Sequence, residues 1–260
     1  MFASKAMAVA EFRFYEELND FLPVERRKCR FVYCCAERAT VKHAIEALGV
    51  PHTEVEIVLA NGESVDFTYT VKEGDFISVY PQFESLDVGP VLRVRKDTLR
   101  EPRFIADSHL GALAKKLRML GFDTRYENNY SDRDVAQIAV AEHRIVLTRD
   151  RDLLMQRVIT HGCYVRANKP RQQLEQVLSR LDLYGLIAPF TRCMCCNETL
   201  TPVGKDTVVH RLPPKTNEYY EHFWVCTGCD RVYWKGSHYR RMQQLIGALE
   251  RQADDGLPQQ

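Results

Sequence analysis

Long apolar runs, net charge and an export signal are all missing from this sequence, and each absence narrows what the chain can be. No stretch approaches the roughly 18 apolar residues of a membrane-spanning helix, so no membrane partner is expected. With 36 Lys and Arg against 35 Asp and Glu the net charge is +1, and bulk electrostatics does not announce a nucleic-acid binder. The apolar patch near Met1 is interrupted by Glu11 and Arg13 and then alternates as a strand would, which is not a signal peptide. Nine cysteines without such a signal point to the cytoplasm, where metal ligation is expected ahead of disulfides. The two ends differ slightly: residues 1–100 hold 13 basic and 16 acidic residues, and residues 101–260 hold 23 and 19. A mildly basic second part that also carries clustered acids suits a polyanion reached through metal ions, although a solvated surface gives the same count.

What is present reads as three modules. Residues 8–82 form a small mixed domain, with strands expected over Glu11–Tyr15, Cys29–Tyr33, Val55–Leu59, Ser64–Thr68 and Phe76–Tyr80. Thr40 caps a helix over Val41–Leu48, Gly49 ends it, and Asn61-Gly62 signals a hairpin. His43 and His52 are expected on the surface or a helix face rather than as ligands. Residues 83–101, rich in turn residues and scattered charge, read as a linker.

Over 102–188 strands alternate with helices, the pattern of a parallel sheet with helical crossovers. Strands are expected at Arg103–Ala106, Phe122–Tyr126, Ile145–Leu147 and Tyr164–Arg166. Helices are expected at His109–Leu120, Val135–His143 and Gln172–Leu183. Asp107 follows the first strand, and Asp150 and Asp152 follow Ile145–Leu147. Asp132 opens the helix before that strand, so the four carboxylates are expected at the carboxyl edge of the sheet, where α/β folds bind ligands. Clustered carboxylates suit Mg²⁺ or Mn²⁺. Asp is also common at helix caps and turns: Ser131 with Asp134 makes a capping box, Asp107 can cap the next helix, and Asp152 can be a turn residue. An Asp-x-Asp after a strand also occurs in haloacid-dehalogenase-type phosphatases, but there the first Asp follows the strand directly, and here Thr148-Arg149 intervene.

Cys193-x-x-Cys196 and Cys226-x-x-Cys229 supply four thiolates at the spacing of a tetrahedral structural Zn²⁺, with a zinc ribbon expected over 189–242. The spacing is also open to an iron site of rubredoxin type. Cys195 is the extra thiol and is expected to stay unligated. Cys29, Cys34, Cys35 and Cys163 are expected in the core. Arg149 and Arg151 are candidates for phosphate contacts. Tyr233, Trp234, Lys235, His238, Arg240 and Arg241 mix rings with basic groups, as single-stranded RNA binding requires. Tyr233 and Trp234 could equally cover the metal site. Residues 252–260 read as a disordered tail.

Two resemblances bear on these modules. ThrValLysHisAlaIleGluAlaLeuGlyValPro at 40–51 and GlyAspPheIleSerValTyrPro at 74–81 resemble the ubiquitin-like β-grasp of sulfur-carrier proteins. Such carriers act through a free Gly-Gly end. Here the chain continues through Asp87-Val88-Gly89-Pro90, so carrier chemistry is not expected; a module docking a protein or positioning RNA and a purely structural accessory are both open. PheIleAlaAsp (104–107) with the helix after it, SerAsp (131–132), LeuThrArgAspArgAspLeu (147–153) and the CysMetCysCys…CysThrGlyCys pairs resemble a PIN-like ribonuclease. The family is that of the C-terminal region of the Mut-seven exonuclease. The resemblance implies an α/β fold and hydrolysis of RNA through Mg²⁺ or Mn²⁺ held by Asp107, Asp132, Asp150 and Asp152. Many PIN nucleases carry a further acid between the first strand and the second motif; only Glu127 stands between Asp123 and Asp132 here. The alternative is a non-catalytic RNA-binding or adaptor protein that keeps the fold.

Overall fold

The computed structural model describes residues 7–81, 102–236, 239–240 and 242–248. The expected linker and tail, together with His238 and Arg241, lie outside them. In chain order the elements begin β1 (Ala8–Phe14), β2 (Phe31–Cys35), α1 (Val41–Ala47), β3 (Val55–Ala60), β4 (Glu63–Val65) and β5 (Phe76–Pro81). Next come β6 (Arg103–Ala106), α2 (Gly111–Met119), β7 (Asp123–Arg125), α3 (Asp132–Glu142), β8 (Ile145–Thr148), α4 (Arg151–Met155), β9 (Gly162–Tyr164) and α5 (Pro170–Arg180). The series closes with β10 (Leu200–Val203), α6 (Lys205–Val208), α7 (Pro214–Tyr219), β11 (Phe223–Cys226) and β12 (Val232–Trp234). The class is mixed α/β: a β-grasp-like sheet, a central parallel sheet with helices, and a cysteine-bearing antiparallel sheet. Two compact units divide the chain, one from Met1–Glu101 with Ser131–Tyr164 and the other from Pro102–Tyr130 with Val165–Gln260.

In the first unit five strands pair in the order β2-β1-β5-β3-β4, with β1 and β5 parallel and the other pairs antiparallel. Strand alternation puts Ala10, Phe12 and Phe14 inside and leaves Glu11 outside. Helix α1 buries Val41, Ala44 and Ile45 in the same core, and the Thr40 hydroxyl accepts from His43 N at 3.3 Å as its cap. Asn61 and Gly62 have φ of 53° and 91°, the two positive values that a tight hairpin turn needs. Three expectations are corrected. Strand β2 starts two residues later than expected and β4 is shorter, because exposed edge strands have little burial pattern to mark their ends. Cys29 and Cys34 are exposed rather than in the core, whereas Cys35 and Cys163 are buried. His52 is buried, within a 3-10 turn over His52–Glu54.

The same unit holds α3, β8, α4 and β9. The four residues of β8 are all buried, the signature of a strand covered on both faces, and β8 pairs with β9 in parallel. Strand β9 lies two residues earlier than the expected Tyr164–Arg166.

In the second unit β6 and β7 pair in parallel. Helix α2 buries Leu113, Ala114 and Leu117, and α5 buries Leu174, Val177 and Leu178. A 3-10 turn, Ser108–Leu110, precedes α2, so the expected helix divides at Gly111. A Cβ on Gly111 would sit 2.5 Å from the Tyr126 ring, so only glycine lets that ring pack there. Strands β10, β11 and β12 form a three-stranded antiparallel sheet, as a zinc ribbon requires.

Candidate metal centre and acidic positions

Cys193 and Cys196 precede β10, and Cys226 and Cys229 straddle the turn between β11 and β12. Both pairs are built by one local rule. In the first, Asn197 N donates to Cys193 O at 3.0 Å and Cys193 N to Glu198 O at 2.8 Å. In the second, Asp230 N donates to Cys226 O and Cys226 N to Arg231 O, each at 3.0 Å. The leading sulfur of each pair accepts two backbone amides: Cys195 N and Cys196 N at 3.4 and 3.5 Å on Cys193 Sγ, and Gly228 N and Cys229 N both at 3.4 Å on Cys226 Sγ. Each turn ends in a left-handed residue, Asn197 at φ 74° and Asp230 at φ 58°. Asn and Asp adopt this region more readily than most side chains.

The four sulfurs lie within 4.8 Å of one another, with 3.6 Å between Cys193 and Cys229 and 3.2 Å between Cys196 and Cys226. Cys195 is outside the set and exposed. Burial raises the pKa of the Cys193 thiol, but bonds from the Tyr233 hydroxyl at 3.0 Å and from the amides of Cys196 and Cys195 outweigh it and hold it down to about 6. Burial raises Cys196 and pushes Cys229 up to about 12, and hydrogen bonds with the neighbouring sulfurs add to the rise, so thiolates buried there lack a counter-charge. A soft divalent cation supplies that charge. Four sulfurs in two such turns are the donor set of structural zinc, so the cluster can hold Zn²⁺.

The first cysteine turn is tied to the α/β part of its own unit. Arg118 on α2 is buried, and it donates Nε to Thr124 O at 2.8 Å, Nη2 to Tyr126 O at 3.4 Å and Nη1 to Cys195 O at 2.6 Å. Burial lowers its pKa from the usual guanidinium value, opposed by Glu127 and by the cysteine sulfurs. Asn197 accepts from Thr124 N at 2.8 Å and donates to Asp123 at 2.7 Å, and Asp123 also pairs with Arg192 at 3.5 Å. Neither Arg118 nor Asn197 stands out in the sequence: one reads as a surface helix residue and the other as a turn residue.

The aspartates are placed element by element. Asp107, 8 % exposed, follows β6 and caps the 3-10 turn, accepting from His109 N at 3.4 Å and from the Ser108 hydroxyl at 3.0 Å. Asp150 caps α4 by accepting from Asp152 N at 2.8 Å, a role the sequence reading did not assign. Asp152 stands exposed in the first turn of α4. Asp132 is the first residue of α3, exposed, while Asp134 forms the expected capping box with Ser131. The bonds from the Ser131 hydroxyl and amide hold the Asp134 carboxyl below the usual carboxylate range. Among the described residues, the cysteine set is the one group of three or more His, Cys, Asp or Glu whose ligand atoms come together this closely.

Arg149 and Arg151 are exposed, as are Lys235 and Arg240. Tyr233 turns its hydroxyl toward Cys193, and Lys235 Nζ lies 5.7 Å from the Trp224 ring and 5.4 Å from that of Tyr239. Trp234 packs against Gly236, where a Cβ would come within 2.8 Å of the indole nitrogen.

A family model described as the Mut7-C RNAse domain matches residues 102–246, more than half of the chain, and one described as Mut7-C ubiquitin matches residues 7–87. No curated protein matches. The crystal structure of H. volcanii small archaeal modifier protein 1 is similar at 21% identity, covering 29% of this chain and 99% of that one with a TM-score of 0.24.

Proposed function

Because the chain belongs to the Mut7-C RNAse domain family, we propose that it is a metal-dependent ribonuclease acting in the cytoplasm. The match over residues 102–246, which encloses all four aspartates and all four paired cysteines, is the observation that carries this reading. Asp107, Asp132, Asp150 and Asp152 are the proposed ligands of Mg²⁺ or Mn²⁺. Two stand just past parallel strands or in the turn that follows, and Asp132 and Asp152 open helices with carboxylates that are exposed. Hard carboxylate oxygens suit these ions. A divalent ion held there supplies charge neutralisation on the phosphodiester and activation of a water. Among the chain's own groups, the Asp107 and Asp150 caps fix their carboxylates against the backbone, which reduces the reorganisation needed to bind a cation. Arg149 and Arg151 are proposed phosphate contacts, and Tyr233, Trp234, Lys235, His238, Arg240 and Arg241 a proposed RNA-binding stretch. Zn²⁺ on the four cysteines is proposed as structural.

The capping bonds of Asp107 and Asp150 favour a second reading, a non-catalytic RNA-binding or adaptor protein, since a capping role alone accounts for an Asp at those places. RNA cleavage with Mn²⁺ separates the two. The nuclease reading expects cleavage that EDTA abolishes and that Asp150→Asn reduces by about 100-fold or more. Cleavage that survives both treatments removes the proposed acidic site, and a folded, zinc-loaded protein that cleaves no RNA supports the adaptor.

A further inference from the structure

Within the first unit, the β-grasp residues His52, Thr53 and Glu54 reach the segment that follows Asp150. The buried His52 ring donates Nε2–H to Ile159 O at 2.8 Å, a carbonyl being able only to accept, and its Nδ1 lies 2.7 Å from the Glu46 carboxylate on α1. The Thr53 hydroxyl donates to Leu154 O at 3.5 Å. Glu54, itself buried, accepts from Tyr164 N at 2.7 Å through Oε1. Tyr164 packs against the β-grasp core and meets the Phe21 ring edge-on at 5.3 Å between centroids. A Cβ on Gly162 would stand 2.4 Å from Leu154 Cδ2 and 3.3 Å from Thr53 Oγ1, so α4, β9 and the His52–Glu54 turn close on one another with no room for a methyl group. The Arg151 guanidinium reaches the same neighbourhood beside Gly49.

These contacts matter because α4 is five residues long. A helix of that length does not hold itself, since nucleation costs more than its few internal bonds return. Its geometry is set by the Asp150 cap, by burial of Leu153 and Leu154, and by the partners of its end. We infer that the β-grasp module is a brace: His52, Thr53 and Glu54 are positioning residues that hold α4, and with it Asp150 and Asp152, in place for metal binding. The inference rests on the ribonuclease reading for its consequence but not for its structural core. It also accounts for a carrier-like module without a carrier's free end, because a brace needs the core and the turn and not a terminal Gly-Gly.

Hydrogen exchange and RNA cleavage on the full chain test it together, comparing wild type with Glu54→Ala and Glu54→Gln. In Glu54→Ala the amides of residues 150–164 should exchange about 10-fold faster or more, while those of β1 and β5 and the zinc content stay as in wild type. Cleavage should lose kcat by about 10-fold at unchanged KM. Glu54→Gln, which keeps an acceptor oxygen for Tyr164 N, should restore most of both. Where Glu54→Ala does not fold, Thr53→Val makes the same test, removing one hydroxyl and little volume. Unchanged exchange over 150–164, a rise spread evenly over the sheet, or selective loosening with unaltered kcat overturns the brace. Wild-type protein that cleaves no RNA overturns the nuclease reading alone, and the exchange experiment still decides whether the brace exists.

Discussion

The cysteine cluster and the four aspartates proposed as metal ligands are assembled in opposite ways. Each cysteine pair lies within four consecutive residues, and its backbone turn aims two amides at the leading sulfur, so half of the site is local geometry. Only the meeting of two such turns is tertiary, and β10, β11 and β12 arrange it in one sheet. The aspartates instead come from the starts of three separate elements, with only Asp150 and Asp152 sharing one, and the bonds at Asp107 and Asp150, like that of the neighbouring Asp134, are caps. A site of the first kind announces itself by spacing; a site of the second kind shares its residue type and position with ordinary capping.

The largest effect expected from breaking this contrast is on the cysteine side. Cys226→Ser should abolish zinc binding, measured as metal per chain, and unfold the ribbon, because the free energy of a structural zinc site is folding free energy. Unchanged metal content would sink the assignment. Next in size is Arg118→Ala, which strips the donor from the carbonyls of Thr124, Tyr126 and Cys195. It should destabilise the second unit by about 3 kcal/mol in denaturant unfolding, the range for orphaning buried acceptors. A loss within error would show that water replaces the guanidinium.

Smaller stability effects sharpen the aspartate side. Asp150→Asn should leave the melting temperature nearly unchanged, because Asn caps helices about as well as Asp, so any lost cleavage reports chemistry and not folding. Asp150→Ala should lose both, and equal melting temperatures for Asn and Ala would mean that the cap contributes nothing. Least in size is the pair on α3: Asp134→Ala should lower the melting temperature slightly and leave cleavage intact, and Asp132→Asn should do the reverse. The Asp134 carboxyl is held below its ordinary value in the folded chain. Its stabilising effect is therefore complete above the ordinary Asp pKa and fades as pH falls through the lower folded value. In Asp134→Ala that part of the acid dependence should vanish; an unaltered pH profile would contradict it.

Much of the fold was readable from local pattern. The Ser131–Asp134 box, the Asn61-Gly62 hairpin and the buried run of β8 appear as expected, since caps, turns and burial periodicity are written over a few adjacent residues. The edges of β2, β4 and β9 shifted, where burial pattern is weak. The sequence places His52 on the surface or a helix face, because nothing nearby in sequence marks its acceptor, Ile159 O, 107 positions away.

By itself, then, the sequence determined the cysteine pairs, the alternation of strands and helices and most of the caps, because these depend on residues within a turn or two of one another. Tertiary structure alone decided that Arg118 and Asn197 weld the cysteine turn to β7 and that His52, Thr53 and Glu54 grip the segment beyond Asp150. Most of those bonds end on backbone carbonyls and amides. Every residue carries such groups, so no side-chain pattern could have signalled which would be met.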